Sequence, residues 1–167
     1  MTTVRESVQS FAEVDSPIAA TIHTEISTST TDVDSSIVAF EAAISPVQSA
    51  IKQSDSIDDV YAAGLGDGVD AIKTQISGLE GQLGASRKVI AAGAGPHKAA
   101  EYLQNARTNN IPEAIRLLKT LDEFVTERGS EDEAISVSAV HAATDDVITE
   151  LNRIDAALQS VVERLTG

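Results

Sequence analysis

Toward the C-terminal end, apolar side chains recur at Val137, Val140, Val147, Leu151, Ile154, Leu158, Val161 and Leu165, with Thr144 in the one gap. Steps of three and four held over about four heptads make an a/d seam, so residues 131–166 are predicted as one long amphipathic helix that needs neighbours along its length. Ser130 and Glu133 stand at capping-box spacing ahead of it. The same spacing runs through Val33, Ile37, Phe40, Ile44, Val47 and Ile51, and again through Leu65, Val69, Ile72, Ile76, Leu79, Leu83 and Ile90. Val4, Val8 and Phe11 mark a short first helix.

The breaks between these runs are written in turn and cap residues. Ser16-Pro17 reads as an N-cap followed by proline at the first helical position. Residues 24–36 are rich in Ser and Thr, weak helix formers, but Ile26 and Val33 keep the heptad phase, so a continuous helix over 17–52 is predicted. Pro46 is expected to kink or restart it near Ser45. Ser54 to Ile57 forms a turn, with Ser56 and Asp59 as the next cap, and Gly93-Ala94-Gly95-Pro96 ends the helix over 56–92. Residues 97–108 and 112–128 read as two short helices joined at Asn109-Asn110-Ile111, a hairpin closed by Gly129. No period-two pattern of useful length occurs. The expected fold is therefore all-α. It is a single domain over 1–167, an elongated antiparallel helical bundle or coiled coil. Its long helices span about 17–52, 56–92 and 131–166, and its short ones about 3–14, 97–108 and 112–128.

Composition narrows the partners. Aromatic residues make up only 3% of the 167-residue chain and there is no Trp, so the core must be built from Ala, Ile, Val and Leu, which suit narrow helix seams. With no Cys there is no disulfide or thiolate chemistry. The net charge of -14 argues against nucleic acid or an anionic membrane surface as the main partner. That charge is uneven. Residues 1–86 hold 13 acids and 3 bases, residues 87–128 hold 5 and 7, and residues 129–167 hold 8 and 2. The basic middle is placed to sit against acidic segments of this chain or of another. No run has the roughly 18 apolar residues of a membrane span. The first residues lack the basic and apolar regions of a signal peptide. A cytoplasmic protein, or one secreted without a cleaved signal peptide, is expected.

Candidate chemistry is sparse. Gly64, Gly66 and Gly68 lie within heptad-patterned sequence, with no preceding strand and with Asp67 to repel a phosphate, so a phosphate loop is not expected. Gly78, Gly81 and Gly84 follow in the same predicted helix. Glycine inside a helix costs roughly 1 kcal/mol against alanine, which points to a backbone packed closely against a neighbour. Gly78, Gly81 and Gly84, with Arg87 and Lys88 in the last turns, are therefore the candidate partner-binding residues. His97 with Glu101, and His141 with Asp145, share helix faces at i,i+4, but neither pair has a third ligand at metal spacing. Asp32-Val33-Asp34 opens like a calcium loop and then fails at Ile37 and Ala43. Residues 98–121 look like part of one tetratricopeptide-type repeat, without the further copies a solenoid needs. No catalytic residue, cofactor, metal site or small-molecule substrate is assigned.

The stretch GLGDGVDAIKTQISGLEGQLGASRKVIAAGAGPH resembles leader segments of small actinobacterial proteins, which look like the helical-hairpin substrates of type VII secretion. The likeness covers roughly residues 55–110 and rests on composition and phase. The Trp of the WXG-motif family is missing, and neither Tyr61 nor Tyr102 has an acid four positions on. The resemblance implies a non-enzymatic helical module, an export-related substrate or chaperone of a type VII-like or polymorphic-toxin system. The heptads by themselves imply an interaction or scaffold protein that binds itself or a protein partner through its seams.

Overall fold

The computed structural model describes residues 3–29, 33–52, 58–129 and 136–167. Of these, 93% are helical and none is in a strand. Helix α1 (Val4–Gln9) begins at a complete capping box: Thr3 Oγ1 accepts from Glu6 N at 3.1 Å, and Thr3 N donates to the Glu6 carboxylate at 3.1 Å. A 3-10 turn (Ser10–Glu13) extends it and buries Phe11. Helix α2 (Pro17–Ser29) starts as its sequence suggests, with Ser16 Oγ accepting from Ile18 N. Then follow α3 (Val33–Lys52), α4 (Asp58–Ala91), α5 (Pro96–Asn105), α6 (Ile111–Gly129) and α7 (Val137–Thr166).

The heptad positions are the core. Val140, Thr144, Val147, Leu151, Ile154, Leu158 and Val161 of α7 are buried, as are Leu65, Val69, Ile72, Ile76, Leu79, Leu83 and Ile90 of α4. Val33, Ile37, Phe40, Ile44 and Val47 of α3 join them. Each large aliphatic side chain withdrawn from water contributes roughly 1.5–3 kcal/mol, so these stripes dominate what holds the helices together.

The helices form an antiparallel up-down-up-down bundle of four rods: α2–α3, α4, α5–α6 and α7. Helix α4 packs on α3 and on α5–α6, and α7 packs on α2–α3 and on α5–α6. Glu41 on α3 meets Lys73 on α4 at 3.3 Å, and Arg164 near the end of α7 meets Glu25 on α2 at 2.7 Å. At 1.5 Å per residue, α4 and α7 are about 51 and 45 Å long, which makes the bundle elongated. Helix α4 ends in a Schellman motif. Gly93, at φ +86°, donates to Ile90 O while Ala94 N reaches Val89 O.

Three expectations change. First, the hairpin at 97–128 is absent. Backbone of right-handed helical geometry runs from α5 through a π turn (Ala106–Asn110) into α6, and both halves pack along α4 without folding back on each other. The cause lies in the core spacing. Buried residues run Ala99, Leu103, Ala106, then Ile111, Ala114, Leu118, Leu121, Val125. The step of five from Ala106 to Ile111 would rotate an α-helix off its seam. The wider π turn absorbs it, with Ile111 N bonded to Ala106 O. Pro112 assists, having no N–H for the preceding turn. Helices α2 and α3 cover the expected helix over 17–52 on either side of residues 30–32, which lie outside the described residues, and its continuity falls there. Second, of the kink or restart expected at Pro46, the restart does not occur: Pro46 sits inside α3 on an exposed face and the helix runs on through it. Third, α7 begins at Val137 with Ser136 as N-cap rather than at 131, and the bundle has four long rods in place of three. The caps expected at Ser56–Asp59 and Ser130–Glu133 involve residues outside the described set, as does the side chain of Ile51.

Candidate functional site

Helix α4 is unbroken from Asp58 to Ala91, so its glycines are helical and their surroundings decide what they do. Gly78 is occupied from within the chain. A methyl group there would overlap the side-chain amide of Asn110, which stands at the π turn and donates to Gln75 Oε1 at 3.2 Å. Gly68 likewise lies under Leu121, whose Cδ2 would be 2.8 Å from an added Cβ. At Gly81 and Gly84 an added Cβ would meet nothing within 4 Å.

Those two glycines line a groove of about 550 Å³ between α1 and α4. Glu6 and Ser7 of α1 and Ser10 of the 3-10 turn form one wall, and Ser77, Glu80 and Arg87 complete the α4 wall. The structure thus brings Gly81, Gly84 and Arg87 together. Gly78 is turned to α5–α6, and Lys88 is exposed in the last turn of α4. One end of the groove is anionic. Burial pushes the Glu80 carboxyl above the ordinary carboxylate range, and Asp34 and Glu6 push it the same way. Asp34 itself accepts from the main-chain N–H groups of Val4 and Arg5, both at 3.3 Å, at the positive end of α1.

A second concavity, of about 490 Å³, lies where the π turn and α6 face α7. Arg107, Arg116 and Lys119 supply its cations; Ile111, Pro112 and Ile115 supply an apolar strip; Asn152 and Asp155 stand on α7. Arg107 Nε donates to Asp155 at 3.2 Å and its Nη1 to Gln104 at 3.2 Å. Arg116 pairs with Glu113 on its own helix. Sequence reading places this segment as a basic middle but cannot assemble the cleft, because Arg107 and Asp155 are 48 residues apart. The available signal was the step of five at Ala106–Ile111.

The histidines stand apart from both. His141 Nδ1 lies 3.0 Å from Asp122 on α6 and its Nε2 3.4 Å from Asp145, so the helix-face pair forms and an interhelical one is added. Hydrogen bonding to Asp122, then the charges of Asp122 and Asp145, hold its pKa above the ordinary histidine value. Glu101 pairs with Lys98 at 3.1 Å. Among the described residues no group of three or more His, Cys, Asp or Glu side chains is placed to hold a metal ion, and no helix is long and apolar enough to cross a membrane. Comparison with protein-family models, curated proteins and solved structures gives no match.

Proposed function

We propose that this chain is a non-enzymatic helical interaction module that receives a protein partner on the α1–α4 face. The heptad seams are not the docking surface in this reading. The chain's own helices close them, and Val38 is the one large hydrophobic exposed among the described residues. The observation that carries the reading is the bare backbone at Gly81 and Gly84. Helix propensity alone selects against glycine there, and no neighbour in the chain occupies the space. A partner element can approach the α4 main chain more closely at this face than over a helix bearing side chains. Arg87 and Lys88 beside it offer cationic anchors on an otherwise acidic protein.

The test is capture from the cells that make the protein, run in parallel with Gly81→Leu/Gly84→Leu and with sedimentation velocity on the purified chain. The expected result is one stoichiometric protein, or a second copy, bound by the wild type and lost when the groove is filled with thermal stability undiminished. Equal association by both, or a wild type that stays monomeric and retains nothing, overturns the reading.

A further inference from the structure

The α6–α7 cleft is separate from the α1–α4 groove and carries an inference independent of it. Three of the chain's 12 Lys and Arg residues line it, against a single carboxylate, Asp155. They are not equally committed. Arg107 is held between Asp155 and Gln104 and is largely covered. Arg116 is exposed and holds Glu113, three residues away on the same helix, through both Nε and Nη2, so a ligand carboxylate competes with that pair for it. Lys119 has no ion-pair partner among the described residues. Lys119 and the Arg116–Glu113 pair thus stand one helical turn apart, beside the strip made by Pro112 and the half-buried Ile115.

The shape limits what fits. Small-molecule sites enclose most of their ligand, whereas this concavity is open to solvent. An extended or helical peptide has the right form, with an apolar side chain for the strip and carboxylates for the rim. The π turn forms one end of the cleft, and π turns recur at functional sites in helices. At physiological salt the screening length is about 8 Å, so these near cations outweigh the distant acidic surface for a short ligand. A long polyanion or an anionic bilayer would meet the whole net charge.

We infer that the α6–α7 cleft binds an acidic peptide segment of a partner protein, with carboxylates on Arg116 and Lys119 and an apolar side chain on Pro112 and Ile115. The protein then has two separate faces for partners, as a scaffold requires.

The experiment is a titration of the isotope-labelled full chain, followed by backbone amide resonances. The probes are a short capped peptide of Glu and Leu, its counterpart with Gln for every Glu, a polyglutamate of equal length, and inorganic phosphate. Saturable shifts at Ile111, Ile115, Arg116, Lys119 and Asn152 are expected with the Glu/Leu peptide. Affinity should fall at least about tenfold with the Gln peptide and in Arg116→Glu/Lys119→Glu, both exposed positions whose change leaves the bundle folded. Polyglutamate and phosphate should bind several-fold more weakly. The proposal fails if shifts are absent at millimolar peptide, if they centre elsewhere, or if charge reversal leaves them unchanged. It also fails if polyglutamate or phosphate binds as tightly as the Glu/Leu peptide, since the apolar strip then has no part. A failure here leaves the α1–α4 reading standing, because that surface is read at different residues.

Discussion

Helix α7 and the α5–α6 rod are neighbours of similar length that bury the same kind of stripe, yet they keep its phase in different ways. In α7 the steps from Val140 to Val161 are threes and fours, and every heptad position between them is buried, including Thr144. In α5–α6 the stripe slips by one residue between Ala106 and Ile111, and five residues of π turn return it to the core. A sequence can therefore break heptad register without breaking the helix, provided the backbone locally widens.

Deletion of one residue breaks this comparison most directly. Removing Thr149 from α7 rotates everything after it by about 100° relative to the residues before it, so Leu151 to Val161 leave the core. Loss of a cooperative thermal transition is expected. Removing Asn109 together with Pro112→Ala takes away the extra residue and the proline, turning the step of five into four. That variant should keep its helical circular dichroism and melt cooperatively, with stability within about 2 kcal/mol of wild type. If both deletions unfold the chain, the π turn is not what reconciles the two phases.

Truncation sharpens the same point with a smaller effect. Leu151→Ala and Leu158→Ala in α7, and Leu103→Ala and Leu118→Ala on either side of the π turn, all remove fully buried side chains. Each is expected to lose roughly 2–5 kcal/mol in denaturant melts. Values below about 1 kcal/mol at Leu103 and Leu118 would mean that the slipped helix is only loosely packed.

Most of the fold was legible because a helix seam is a one-dimensional signal. The buried residues of α3, α4 and α7 could be named from spacing alone. The join at Asn109-Asn110-Ile111 misleads because Asn-Asn shortly before a proline is also how a turn is written. The choice between them rests on whether Ile111 faces the same core as Leu103, a tertiary fact. The candidate surfaces were half legible. Glycines in a helix mark an anomaly, but only the fold shows that Gly78 faces Asn110 while Gly81 and Gly84 face open space.

That difference predicts opposite behaviour within one helix. Gly81→Ala and Gly84→Ala should each stabilise the chain by up to about 1 kcal/mol, the ordinary helix propensity gain. Gly78→Ala gains the same propensity but must displace Asn110 and its hydrogen bond to Gln75, a loss of about 1 kcal/mol, so its net effect should be near zero. In an Asn110→Ala background the full gain at Gly78 should return. A Gly78→Ala gain as large in the wild type as in Asn110→Ala would show that the two residues are not coupled.

The smallest effect concerns the pin between the two compared helices. His141 on α7 is held by Asp122 on α6 and by Asp145 one turn along its own helix. Both partners are acids, so the charged imidazolium is favoured in the folded chain and the histidine pKa is raised there. A raised folded pKa contributes stability that is fully present below the unfolded value of about 6.5 and is lost as pH rises through the folded value. The side chain is exposed, so solvent screening keeps the gain small and salt weakens it further. Melting temperatures of the wild type and His141→Gln, compared between mildly acidic and mildly alkaline pH, should differ most at the acidic end and converge at the alkaline end. An imidazole titration followed by NMR should place the His141 midpoint above that of an unstructured histidine. A midpoint at or below that reference would mean that Asp122 does not hold the ring, and the α6–α7 contact would then rest on its buried residues alone.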